Sequence, residues 1–164
     1  MEVCPGCGAL FPRQEGPVHE YMEASPGCWH AYGQVLAREY GNRRLFAVHR
    51  LSVDSYAVQH PGGESRQAIQ SVGAHLVRLC LFLERGLSAT EANAAMLRVG
   101  RTKAKMFKLI RPNSLGSVTV ADVLSARDDE AHAAQVQRWA TSCWQAWAEH
   151  HEIVRRWTNE AGPR

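Results

Sequence analysis

No run of apolar residues in this 164-residue chain approaches the ~18–20 that a membrane span requires. Met1-Glu2-Val3-Cys4 lacks the basic and apolar regions of a secretory leader, so the expected compartment is the cytoplasm, where thiols stay reduced. The chain has no internal repeat, no low-complexity tract, no nucleophile elbow, no phosphate-binding loop and no dinucleotide fingerprint. Lysine is scarce, with only Lys103, Lys105 and Lys108. A composition of 45% hydrophobic and 21% charged residues excludes a disordered chain, and five cysteines are too few for a disulfide-dense mini-protein. The length suits one domain spanning residues 1–164, with a core that needs no covalent staples.

What is present is mostly helical. Ser25-Pro26 reads as an N-cap with proline in the first turn, opening a helix that Gly41-Asn42 closes. A second helix ends at His60-Pro61-Gly62-Gly63, and a third covers about Ser65–Arg85 with Ile69, Val72, Leu76, Leu79, Cys80 and Leu83 on one face. Ser88-Ala-Thr-Glu91 is a capping box, and Thr119-Val-Ala-Asp122 caps a short helix after an extended piece at 117–120. A long helix is expected from about Asp128 to Trp157, because His132, Val136, Trp139, Cys143, Trp147, His150, Val154 and Trp157 form one stripe. The implied fold class is all-α: an antiparallel bundle of four or more helices over residues 25–158, with residues 1–24 as an N-terminal loop held by zinc.

The zinc expectation rests on Cys4-Pro5-Gly6-Cys7-Gly8, a knuckle whose two thiolates converge on one ion. A third thiol, Cys28, sits in the first turn of the first predicted helix, where the positive helix end favours a thiolate. The ligand set read from spacing is Cys4, Cys7, His19 and Cys28, with His30 as the alternative fourth ligand. A thioredoxin-like dithiol is excluded, since Met1–Val3 is too short to be the strand that framework needs.

Histidines also gather in His49-Arg-Leu-Ser-Val-Asp54-Ser-Tyr56-Ala-Val-Gln59-His60 and in Trp147-Ala-Glu-His150-His151. Imidazoles from several helices can line a bundle interior and hold a second divalent metal with an open position. On that reading His49, His60, His75 and His150 line a pocket, Asp54 and His151 orient or transfer protons, and Tyr56 donates a hydrogen bond.

These segments, together with Gly16-Pro-Val-His19-Glu-Tyr21, Gly27-Cys28-Trp29 and the Pro61-Gly62 that follows His60, resemble a small bacterial family of unknown function over about residues 4–158. The resemblance implies one domain in which the knuckle and the histidine-rich segments belong together. It implies no activity. A weaker similarity is to DinB/YfiT-like helical bundles, whose metal is held by three histidines from different helices and whose members include metal-dependent thiol transferases. The chain departs from them in lacking a His-x-x-x-His pair, since His150 and His151 are adjacent.

The functional expectation is a zinc-containing helical protein acting as a metal-assisted hydrolase or group-transfer enzyme on a small molecule. The alternative is a non-enzymatic zinc-stabilised binding module. Its surface would be residues 98–111, where six Lys and Arg occur without an acid while the whole chain is only +3, and its partner nucleic acid or an acidic protein. A homo-oligomer joined through exposed tryptophans is a third expectation.

Overall fold

Short polar side chains set most helix starts. In the computed structural model, which describes residues 1–100 and 103–160, Ser25 Oγ accepts from Cys28 N and opens α1 (Pro26–Tyr40). The second helix, α2 (Phe46–Gln59), has no side-chain cap and stops at His60, ahead of Pro61. Ser65 caps α3 (Arg66–Leu83), and reciprocal capping boxes open α4 (Ala89–Val99) and α5 (Val120–Leu124). Asp128 caps α6 (Asp129–Ala146), and α7 (His151–Glu160) follows a single 3-10 turn. The knuckle lies between two two-residue strands, β1 (Glu2–Val3) and β2 (Leu10–Phe11), paired antiparallel with Glu2 opposite Phe11.

The helices pack around α2, which lies against α1, α3 and α6; α3 in turn carries α4 and α7, and α5 joins α1 to α6. The all-α bundle expected from periodicity is the architecture found, and no helix among the described residues is long and apolar enough to cross a membrane. Trp139, Trp147 and Trp157 are buried, Trp144 nearly so, and Trp29 half-buried. Four of the five tryptophans are therefore buried, and only Trp29 reaches the surface in part, where the homo-oligomer expectation needs exposed tryptophans.

Two elements differ from expectation. The predicted 128–157 helix breaks at Trp147 (φ −92°, ψ 18°). Three tertiary bonds favour the break over a continuous rod. Trp147 Nε1 donates to the Val58 carbonyl at 3.0 Å, and His150 Nε2 to the Ile110 carbonyl at 2.8 Å. His151 Nε2 donates to the Trp144 carbonyl at 2.8 Å, satisfying an acceptor near the helix end. The break lets Trp147 and Trp157 both reach the core. Residues 117–120 form no strand, because the Ser142 hydroxyl of α6 accepts the backbone N–H groups of Ser117 and Val118.

A buried carboxylate ties three helices together. Glu39, fully buried near the end of α1, accepts from His49 Nδ1 at 2.8 Å and Ser52 Oγ at 2.5 Å on α2, and from His132 Nε2 at 3.0 Å on α6. Burial is favourable only because the acceptor is so fully bonded. Glu39→Ala would strand three donors in the interior. The expected cost is about 3–5 kcal/mol, read as a lower midpoint in urea unfolding.

Candidate metal centre

The knuckle geometry follows from its sequence. Cys4 N donates to the Ala9 carbonyl at 2.9 Å and Gly8 N to the Cys4 carbonyl at 2.9 Å, closing the turn between β1 and β2. Gly8 adopts φ +76°, a conformation that side chains resist. Gly6 is required for a different reason. A Cβ there would stand 2.3 Å from His60 Cδ2 and 2.5 Å from the Glu23 carbonyl oxygen, so the knuckle backbone lies directly on the His60 ring.

Three elements then bring four ligand atoms together. Cys4 and Cys7 come from the turn, Cys28 from the first turn of α1, and His60 from the C-terminal end of α2. Their ligand atoms all lie within 4.8 Å of one another, and these residues could hold a metal ion. Cys7 Sγ and Cys28 Sγ are 3.9 Å apart, and Cys28 Sγ is 3.3 Å from His60 Nε2. Tetrahedral ligands with metal–sulfur bonds of ~2.3 Å sit about 3.8 Å apart, so the sulfur spacing fits one ion. His60 Nδ1 donates to the Tyr56 carbonyl at 2.7 Å, which leaves Nε2 as a lone pair facing the sulfurs. The Tyr56 ring stacks on His60 with centroids 3.9 Å apart, and its hydroxyl donates to Cys28 Sγ at 3.5 Å. Cys4, Cys28 and His60 are at most 1% exposed.

Crowded sulfur makes the site electrostatically demanding. Hydrogen bonds from Cys28 and Cys7 hold the Cys4 thiol far below its ordinary range. Cys28 is pushed well up by Cys4 and Cys7 and by burial. Cys7 is lowered by its bond to Cys28, but the neighbouring Cys4 and burial outweigh this and raise it to about 11. The opposed shifts show that the thiols compete for negative charge, which a bound cation would relieve. Tyr56 is pushed up by burial and by the charge near Cys28, so its hydroxyl keeps its proton and remains a donor.

The histidine that joins the three thiols is His60, and neither His19 nor His30 is part of the cluster. His19 packs edge-on against Tyr21 and Trp29, with ring centroids 4.3 and 5.4 Å away, and its Nδ1 accepts from Tyr21 N. His30 is exposed and bonds Gln34 at 3.0 Å. The histidine-lined pocket is not assembled either. His49 serves Glu39; His60 faces the thiols; His150 and His151 bind backbone carbonyls, with His151 stacked on Trp144 at 3.8 Å. Among the described residues no second group of three or more Cys, His, Asp or Glu side chains converges as a second metal site would need.

His75 stands apart from these. Its Nδ1 donates to Asp54 Oδ1 at 2.7 Å, and Arg78 Nη1 donates to the same oxygen at 3.1 Å. The Asp54 carboxylate is fully buried, yet its Oδ2 has no hydrogen-bond partner.

Three of the six basic residues of the segment 98–111 face acids from elsewhere. Lys105 pairs with Glu160, Lys108 with Glu64 and Arg111 with Glu23, while Arg101 lies outside the described residues. Arg111 also donates to the Pro5 carbonyl at 2.5 Å and the Gly6 carbonyl at 3.3 Å, bracing the knuckle from outside.

No curated protein and no solved structure matches the chain. A family model does match, over residues 2–148, a span that includes the knuckle, Cys28 and His60. The chain belongs to that family, a family of unknown function designated DUF5946.

Proposed function

We propose that this protein is organised by one structural zinc ion, held by Cys4, Cys7, Cys28 and His60, which fastens the N-terminal knuckle to α1 and α2. The observation that carries this reading is the approach of three sulfurs and one lone-paired imidazole nitrogen within 4.8 Å. A three-sulfur, one-nitrogen donor set suits zinc, and four protein ligands leave no coordination position for a substrate. Catalysis by this ion is therefore not part of the reading.

Metal analysis of untagged protein is expected to return about one zinc per chain. Cys28→Ala and His60→Ala should each lose it, with a fall in Tm of roughly 10–15 °C, the equivalent of about 4 kcal/mol for a chain of this size. His19→Ala should keep both zinc and Tm. Zinc retained by His60→Ala but lost by His19→Ala would overturn the assignment.

Proton release gives a second check. Cys7 and Cys28 keep their protons in the ion-free site, so zinc uptake at pH 7 should release about two protons per ion, measured by titration in weak buffer. Affinity then rises with pH and falls as acid returns protons to the thiols. Gly6→Ala should weaken zinc binding by at least roughly tenfold, because the new methyl displaces the His60 ring.

A second reading, an active site, rests on His75. The carboxylate of Asp54 can only accept, so it holds the proton on His75 Nδ1 and leaves Nε2 as the basic atom of a half-buried ring. That is the arrangement of a general base for hydrolysis or group transfer. The zinc-loaded protein should hydrolyse p-nitrophenyl acetate faster than an equal concentration of free imidazole. His75→Asn should abolish the excess and Asp54→Asn should reduce it about tenfold. A rate unchanged in His75→Asn removes this reading.

A further inference from the structure

One of the cavities among the described residues combines an apolar wall with charged neighbours and belongs neither to the metal centre nor to His75. It lies between the start of α3 and the segment that follows the 103–105 turn, with a volume of about 150 Å³. Its wall includes the apolar side chains of Val72, Leu109 and Trp147, which are buried, and of the half-buried Ile69 of α3. The Trp147 indole N–H is already committed to the Val58 carbonyl, so the ring offers a ligand an apolar surface and no hydrogen bond. Apolar cavities of about 150 Å³ admit a single benzene-sized ring, which sets the size of the body that fits.

Exposed charges stand around this wall: Lys108, Arg111 and Glu23. Their availability differs. Both terminal nitrogens of Arg111 are engaged, one with Glu23 at 2.9 Å and the other with the Pro5 and Gly6 carbonyls. Lys108 is held only by Glu64, at 2.8 Å, and both side chains are largely exposed, 51% and 85%. A pair of that kind contributes little and exchanges readily. Glu64 thus shows what Lys108 accepts beside the cavity: one carboxylate, weakly held and replaceable. Glu23 on the same lining disfavours a second negative charge.

We propose that this cavity binds a small monocarboxylate with a ring-sized apolar body, the body against Val72 and Trp147 and the carboxylate on Lys108 in place of Glu64. The site needs no metal. It shares one wall with the knuckle, because Arg111 touches both and Pro61 follows the ligand His60.

Benzoate is the probe, titrated calorimetrically into the zinc-loaded protein at low salt. Binding is expected with a dissociation constant on the order of 1 mM or tighter, as befits a ligand of this size. Lys108→Glu should weaken benzoate at least roughly tenfold, and Glu64→Gln should tighten it a few-fold by freeing the ammonium. Toluene, which has the ring alone, should bind both variants as it binds the parent protein. Ile69→Trp, at a half-exposed position, should exclude benzoate and toluene alike. Zinc content measured in parallel should stay constant in all three variants, which separates this site from the metal centre. Absence of benzoate binding, equal affinity in Lys108→Glu, or equal binding of benzylamine and benzoate would overturn the proposal.

Discussion

The hydrogen bond from His60 Nδ1 to the Tyr56 carbonyl is the constraint on which the rest of the site depends. It selects the tautomer whose Nε2 lone pair faces the sulfurs, and it joins the imidazole to the last turn of α2. Because α2 is the helix against which α1, α3 and α6 pack, the orientation of one ring is tied to the bundle itself. From there the dependence runs outward. Cys28 is positioned by the Ser25 cap of α1, the Cys4–Cys7 turn lies on the ring because Gly6 has no side chain, and Arg111 closes the turn from behind.

Polar burial elsewhere follows the same logic with other partners. Glu39 lies in the interior with its acceptors filled from two neighbouring helices, which fixes the register of α1 against α2 and α6 more sharply than apolar packing does. Asp54 is bonded less completely than Glu39: one oxygen is shared by His75 and Arg78, and the other is left without a partner. An interior that satisfies Glu39 so fully and Asp54 so incompletely treats the two carboxylates differently.

Much of this was legible in the residues. Ser25-Pro26, Ser88 with Glu91, and Thr119 with Asp122 are local signals, and the helices begin where those caps stand. The tryptophan stripe is also local, since 3.6-residue periodicity shows which positions face inward, and Val136, Trp139, Cys143 and Trp147 do so. The knuckle thiols and Cys28 were visible as a cluster in sequence. His60 was not, because its partners are 32 or more residues away and spacing carries no information about a helix end that folds back onto a turn. A usable clue existed in His60-Pro61, which ends α2 at the histidine and leaves its ring free of the next turn. The break at Trp147 was hidden for a related reason. It is imposed by the Val58 and Ile110 carbonyls, which no pattern within 128–157 reveals.

The ligand separations have a consequence for the unfolded chain. Bridging Cys7 to Cys28 and Cys28 to His60 ties off loops of 21 and 32 residues at one point, as a branched cross-link would. Closing loops of that length removes conformational freedom from the denatured ensemble, by an amount that grows only slowly with loop size. An ion retained by these residues would therefore act on the disordered polypeptide as well as on the native one. It would restrain the first third of the chain even where the helices beyond Pro61 have come apart.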